Sequence, residues 1–300
     1  MLRKLAFKAS SPSVSDRGAA GEVDTFIGVV RSKGVCEAAG MPNEGSAATP
    51  LAGWYVISLR PLGQHVSLRR AAERRGAQLF AISTLRLSPL DAGATLAPAL
   101  AAAQVIASSP AAARFAGAQQ ALRQRAGQRW YAPGDGTAAA LRRAGITQVT
   151  IPEGGADSEA LLALPDLHAV RGQSIGLLTA PGGRDLIAAT LAARGAQVLR
   201  ADVYRRLPLA ITPTRQRALA KLPARSALLV SSGEALSVLW QALDDVGRAA
   251  LQRRLAVASS ERLRARLVAL GFARVIRAAS AHPAALLDAL VAHVGHGGFR

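Results

Sequence analysis

Apolar and polar positions follow two rhythms from residue 54 onward. Short apolar runs of strand length recur at 54–59, 78–87, 103–107, 128–132 and 147–151, and again at 174–179, 196–205, 226–230, 254–258 and 273–277. Stretches of helical period lie between them. In 63–75, for example, Val66, Leu68, Ala71 and Ala72 oppose Arg69, Arg70, Glu73 and Arg74. Short strands alternating with helices predict parallel sheets flanked by helices. The stretches 80–90 (FAISTLRLSPL) and 199–209 (LRADVYRRLPL) run past the needs of one strand, and we expect them to pair as a connector between domains.

The pattern is written twice. Arg-Gly-Ala-Gln stands at 75–78 and again at 194–197, each time after an apolar run, a Pro/Gly turn and a helical stretch. QVIASSPAAARFA (104–116) is answered by ALLVSSGEALSVL (227–239), and RWYAPGDGTAAALRRAGI (129–146) by RLAVASSERLRARLVALGF (254–272). The offset stays near 119–126 residues. Solenoid periods run to about 20–50 residues, so this is a doubled domain-sized unit. Such an object tends to bind its ligand in the cleft between its halves.

Composition narrows the class. Three hundred residues, half of them apolar, suit about two domains with real cores. The apolar runs fall short of the roughly 18–20 residues of a membrane span, and no signal pattern opens the chain; we expect a cytoplasmic protein with no membrane contact. Cys36 stands alone, so neither an internal disulfide nor a cysteine-cluster metal site can form within the chain. Residues 1–52 lack sustained periodicity and hold three of the four lysines. We read them as a disordered or mis-assigned N-terminal extension. The first 50 residues carry six basic and five acidic side chains, so nearly all of the +18 formal charge falls on the repeat. Such charge draws anions. A GC-rich genome placing arginine on solvated helix faces explains it equally well. Aromatic residues make up only 4%, too few for the stacking platforms of single-strand nucleic-acid binding.

Ligands on parallel α/β sheets sit at the carboxyl ends of the strands, so the loops there carry the candidate chemistry. Ser108-Ser109 and Ser231-Ser232 each end a strand and begin a helix. Serine caps helices well, and helix N-termini also bind anions; the two roles can coexist. Gly134-Asp135-Gly136-Thr137 is a further strand-to-helix turn. It matches neither the Walker loop nor the dinucleotide fingerprint. In Pro181-Gly182-Gly183-Arg184, Arg184 has the fork geometry to grip a carboxylate, and Arg60 before Pro61 is its counterpart in the first copy. A solvated arginine is the alternative at both. Tyr204 is either a packing residue or, if it faces the cleft, a phenol able to donate a proton. The five histidines show no metal-ligand spacing, and neither a GxSxG elbow nor a pair of catalytic carboxylates is present.

Together these segments resemble the uroporphyrinogen-III synthase family over about residues 54–292. The likeness rests on the Arg60-Pro61 turn, VIASSPAAARF (105–115), PGDGTAAALRRAGI (133–146), DSEALLAL (157–164), GGRDLIAATLAARGAQVLRADVYRR (182–206) and SSERLRARLVALGF (259–272). It implies two flavodoxin-like parallel-sheet α/β domains, interleaved in sequence and joined by a two-stranded β-ladder. One domain would take 53–88 with 207–300, the other 89–206. The implied reaction is that of a cyclising hydro-lyase of tetrapyrrole (haem) biosynthesis. Linear hydroxymethylbilane loses water, its last pyrrole ring inverts, and uroporphyrinogen III closes, without metal or organic cofactor. The resemblance makes Tyr204 the catalytic proton donor. It makes Arg60, Ser108, Ser109, Gly136, Thr137, Gly183, Arg184, Ser231, Ser232 and Ser260 contacts for a substrate bearing eight carboxylates, with Ser259-Ser260 replacing a Gly/Thr turn of many relatives. We expect a monomer that binds no nucleic acid and meets the preceding pathway enzyme at most in passing. The alternatives are a two-domain small-anion binder without catalysis and an arginine-rich nucleic-acid binder.

Overall fold

A computed structural model describes residues 49–153, 157–182 and 185–296. The first strand, β1 (Tyr55–Ser58), leads through α1 (Val66–Glu73) to β2 (Gln78–Ala81). Then come β3 (Leu85–Pro89), α2 (Gly93–Ala101), β4 (Gln104–Ala107), α3 (Pro110–Gln119), β5 (Arg129–Tyr131) and α4 (Asp135–Arg143). The middle of the chain forms α5 (Ser158–Leu162), β6 (Ser174–Thr179), α6 (Leu186–Ala193), β7 (Gln197–Asp202) and β8 (Tyr204–Pro208). The remainder is α7 (Pro213–Ala220), β9 (Ser226–Val230), α8 (Gly233–Ala242), α9 (Asp245–Gln252), β10 (Leu255–Ala258), α10 (Glu261–Ala269), β11 (Arg274–Arg277) and α11 (Pro283–Gly295).

Two parallel sheets result, and neither is built from one sequence copy. One has the order β11-β10-β9-β1-β2, the other β5-β4-β6-β7, and β3 pairs antiparallel with β8 between them. The first two strands of the chain thus share a sheet with the last three. Numbered within its sheet, each follows the flavodoxin-like order 2-1-3-4, and the larger adds a fifth strand. The chain leaves the five-stranded sheet along β3 and returns along β8. In that ladder Leu85 opposes Pro208, Leu87 opposes Arg206 and Pro89 opposes Tyr204. Leu87 and Arg206 are also equivalent positions of the repeat, so the local two-fold axis passes between them.

Central strands read as unbroken apolar runs because helices cover both faces of each sheet. Strands β4, β9 and β10 are buried at every position. Side chains alternate between the layers. Val56, Leu229 and Val257 pack with Leu68 of α1 and Leu287 of α11. Ile57, Leu228 and Ala256 pack on the other face with Leu236 of α8 and Leu263 of α10. The smaller sheet divides in the same way, with α2, α3 and α4 on one face and α5 and α6 on the other. Each fully buried Leu, Ile or Val contributes about 1.5–3 kcal/mol. Not every arginine is on the outside. Arg254, 7% exposed, donates to the carbonyls of Leu219 (3.2 Å), Ala220 (3.3 Å), Leu222 (2.9 Å) and Pro223 (2.8 Å), and so ties off the C-terminal end of α7. Among the described residues no helix is long and apolar enough to cross a membrane.

The expected strand at 147–151 is not formed. Only Thr150 bridges Tyr131 in parallel. The Gln124 side chain accepts the Gln148 N–H (3.1 Å) and the Thr147 hydroxyl (3.3 Å), which takes a donor that strand pairing would use. The long runs 78–87 and 196–205 each divide in two, with one piece in a sheet and the other in the ladder. Residues 49–52, expected to belong to the N-terminal extension, are part of the fold. Leu51 is fully buried with Trp54 and Leu68, and its N–H donates to the Arg75 carbonyl at 2.8 Å. Residues 1–48 lie outside the described part.

Helix α2 approaches β6 so closely that only glycine fits at 176. A Cβ built there collides with the backbone carbonyl of Ala99. Backbone cannot yield as a side chain tip does, so Gly176→Ala should cost about 1–3 kcal/mol, read as a lower midpoint in urea unfolding. An unchanged midpoint would mean that the helix-to-sheet approach is looser than described.

Candidate functional site

In open α/β sheets a crevice forms where the strand order reverses. In the larger sheet that point lies between β1 and β9, and in the smaller between β6 and β4. The carboxyl ends of β1, β9 and β4 line a common cavity of about 470 Å3, and that of β6 lines an adjoining one. The larger sheet contributes Leu59, Arg60, Pro61 and Gln64 after β1, Ser231 and Ser232 after β9, and Ser280–Pro283 after β11. The smaller contributes Ser108 and Ser109 after β4 and Pro133–Thr137 after β5. Leu85, Leu87, Tyr204 and Arg206 of the ladder close its base. A smaller cavity of about 200 Å3 adjoins it and shares Ser108 and Arg206.

Helix starts dominate the wall. Ser109 caps α3 by accepting the Ala112 N–H (3.1 Å), Ser232 caps α8 through the Ala235 N–H (3.2 Å), and His282 caps α11 through the Ala284 N–H (3.3 Å). Helix α4 begins at Gly134 without a side-chain cap; Thr137 lies in its first turn, 4% exposed. Four helix N-termini therefore converge on one space, each presenting the positive end of its dipole. Arg60 and Arg206 add full charges. Arg60 donates to the Ala281 carbonyl (3.0 Å), which links the turn after β1 to the loop after β11, while its buried Nε has no partner. Burial also pushes this guanidinium below its ordinary pKa. A charge held where water is scarce pulls harder on an arriving anion. Asp135 is the acidic side chain in the wall.

Tyr204 is almost fully buried, with its ring stacked on Phe115 at 5.3 Å between centroids. Its phenol is 3.2 Å from the Ser109 hydroxyl, and Arg206 Nη1 donates to it at 3.4 Å. Packing fixes the ring while the oxygen stays in a polar corner of the cavity.

Eight of the residues singled out from sequence meet here: Arg60, Ser108, Ser109, Gly136, Thr137, Tyr204, Ser231 and Ser232. Ser108 is the most committed of them. Its hydroxyl donates to Thr179 (2.9 Å) and its N–H to the Leu178 carbonyl (2.9 Å). Ser260 is not in the wall; it caps α10 by accepting the Leu263 N–H at 3.4 Å. Gly183 and Arg184 lie outside the described residues. The sequence reading passed over Arg206 and the run Ser280–Pro283. The strand-end rule applied to β11 would have found the last of these. Arg206 had no such signal, since it lies within a strand. Among the described residues no group of three or more His, Cys, Asp or Glu is placed to hold a metal ion.

Fold and cavity together define a two-sheet α/β protein with an anion-receptive cleft at paired reversal points. The family model described as uroporphyrinogen-III synthase HemD matches residues 66–288. The uroporphyrinogen-III synthase of Escherichia coli (strain K12) is 34% identical over 163 residues, which cover 54% of this chain and 66% of that protein. That of Salmonella typhimurium (strain LT2) is 35% identical over 142 residues, covering 45% and 56%. The chain thus spans less than two thirds of the length of these curated relatives. Among solved structures, a mutant uroporphyrinogen III synthase from Thermus thermophilus superposes with a TM-score of 0.54 at 20% identity, covering 81% of this chain and all of that one. The Helicobacter pylori 26695 uroporphyrinogen-III synthetase gives 0.52 at 14%, covering 80% and 98%. The likeness to these two is one of fold. The chain belongs to the uroporphyrinogen-III synthase family.

His65 lies behind Arg60. Its Nδ1 is 2.9 Å from Ser58 Oγ and its Nε2 2.9 Å from Ser83 Oγ, so the ring ties the end of β1 to the end of β2. Burial, and then the charges of Arg60, Arg69 and Arg215, push its pKa from 6.5 down to about 4. The unfolded chain then binds the proton more tightly than the folded one. Stability should fall as pH drops from about 6.5 to about 4 and level off below that. Urea unfolding at pH 7, 5.5 and 4 should show this loss, and His65→Gln should flatten it. Equal pH slopes for the two proteins would remove His65 as the cause.

Proposed function

We propose that this protein is a uroporphyrinogen-III synthase, which converts hydroxymethylbilane to uroporphyrinogen III and water. The observation that carries the reading is the convergence of four helix N-termini and two arginines around one buried phenol, in a chain of this family. The substrate is a flexible polycarboxylate, and the cavity offers it N–H groups, hydroxyls and guanidinium forks. Tyr204 gives its proton to the departing hydroxyl, with Arg206 and Ser109 on the phenol oxygen. The remaining task is to hold the chain so that the correct carbon of the last ring is attacked, which is positioning rather than covalent catalysis. We take the two lobes to be 53–88 with 207–300 and 89–206, and the enzyme to act as a cytoplasmic monomer. Gly183 and Arg184 stay in the proposed set of substrate contacts on the strength of the resemblance. Arg60 and Arg206 point into the cavity rather than forming a stripe on one outer face, which favours an anionic small molecule over nucleic acid.

The direct test supplies freshly made hydroxymethylbilane and resolves isomers I and III after oxidation; isomer I alone would reject the proposal. Tyr204→Phe should slow isomer III formation by less than the roughly 10²–10⁴-fold of a full general acid, because preorganisation survives. An unchanged rate would return Tyr204 to a packing role. Thr137→Ala and Ser109→Ala should each weaken substrate binding by about 1.5 kcal/mol. Ser109→Ala also removes a cap, worth about 1 kcal/mol, so melting is followed alongside. Arg69→Gln and Arg142→Gln, on exposed helix faces, should leave KM unchanged. The reverse pattern would move the site out of the cavity.

A further inference from the structure

Arg206 is misplaced by the logic of the fold. Its partner across the ladder, and its equivalent in the repeat, is Leu87, which packs partly buried against the smaller sheet's core. An apolar side chain therefore suits this position, and the ladder itself does not call for an arginine. The guanidinium reaches to both sides. Its Nη2 donates to the carbonyl of Pro181 (3.0 Å) and to that of Gly182, after β6. Its Nε lies 2.6 Å from Glu234 Oε2, in the first turn of α8 on the larger sheet. Arg206 is also the arginine shared by the two adjoining cavities, and the one that touches the Tyr204 phenol.

The tie to Glu234 has the marks of an exchangeable one. Nε is buried yet makes no directed hydrogen bond, so proximity rather than good geometry holds the pair. The Glu234 side chain is 43% exposed and can swing into water at little cost, whereas that of Arg206 is 21% exposed. An ion pair open to solvent is worth about 1 kcal/mol or less. A substrate carboxylate that takes the same Nε with a directed, charge-assisted hydrogen bond does better.

Resting on the synthase reading, we propose that Glu234 is a placeholder carboxylate on Arg206, and that a substrate carboxylate displaces it. In that exchange Arg206 passes from an internal ion pair to a substrate contact beside Tyr204, and α8 loses one tie to the ladder. Arg206 thus joins the substrate-binding set, and Glu234 sets how tightly a polycarboxylate is taken up.

The experiment has two readouts. KM is measured with hydroxymethylbilane, and the dissociation constant of uroporphyrin III, an octacarboxylate probe that needs no turnover, by fluorescence quenching. Glu234→Gln removes the competing charge and should lower both constants by about 3–5-fold, the size of a solvent-exposed ion pair. Arg206→Gln should raise both by about 10-fold or more, as for loss of a hydrogen bond to a charged group. In the Arg206→Gln background, Glu234→Gln should have no further effect. Constants left unchanged or raised by Glu234→Gln would overturn the proposal, since a merely structural pair predicts that. A gain that persists without Arg206 would overturn it as well, because Glu234 would then act through general charge. Glu234→Asp, which keeps the charge but shortens its reach, should shift both constants in the same direction by less, and it serves if Glu234→Gln melts early. Wild-type protein that makes no isomer III would reject the synthase reading, while the probe constants would still decide the exchange.

Discussion

Everything in this protein hangs on the antiparallel pairing of β3 with β8. These strands carry the chain from the larger sheet to the smaller and back, so the two sheets face each other only as their ladder allows. The pairing joins equivalent strands of an internal repeat, which places a local two-fold axis between Leu87 and Arg206. A two-fold axis brings like ends together. Because both sheets are parallel and share one strand order, the ends that meet are the carboxyl ends, where backbone N–H groups and helix dipoles point outward. The cavity follows from that symmetry before any particular side chain is chosen.

Chemistry then comes from departures from the symmetry. Leu87 is apolar, and its equivalent Arg206 is charged. Leu85 begins one ladder strand, and its equivalent Tyr204, a phenol, begins the other. The helix starts are alike in kind, yet Gly134 leaves α4 uncapped while Ser109, Ser232 and His282 close theirs. A substrate with many like charges and one reacting ring suits such a site. On the proposed function, repeated N–H groups hold the charges and a single asymmetric corner performs the proton transfer.

The arginines divide by what surrounds them. Arg254 is spent inside, on the open carbonyls at the end of α7. Arg60 and Arg206 are half-buried at the cavity, each with a carbonyl partner on its fork. Arg69 and Arg70 lie on the outer face of α1, and Arg74 is exposed at its end. Charge count alone does not separate these roles. An arginine next to an anion and one next to water look the same in a string of letters.

The alternation of strand and helix, the repeat and the strand-end serines were legible in the sequence because they are local. Period 2 and period 3.6 are properties of a few residues and their immediate solvent. The strand-end rule located Arg60, Ser109, Thr137 and Ser232 for the same reason. It also admitted Ser260, because nothing local says that the turn after β10 lies outside the cavity. The strand expected at 147–151 failed through the side chain of Gln124, more than twenty residues earlier. What the sequence alone determined was most of the elements, the doubling and the anion-receptive character of the turns. Which strand lies beside which, the exchange of β1 and β2 between copies, and the meeting of Tyr204, Arg206 and Glu234 were decided only in three dimensions. They depend on contacts between segments far apart in the chain, whose free energy comes from shared burial that no local pattern encodes.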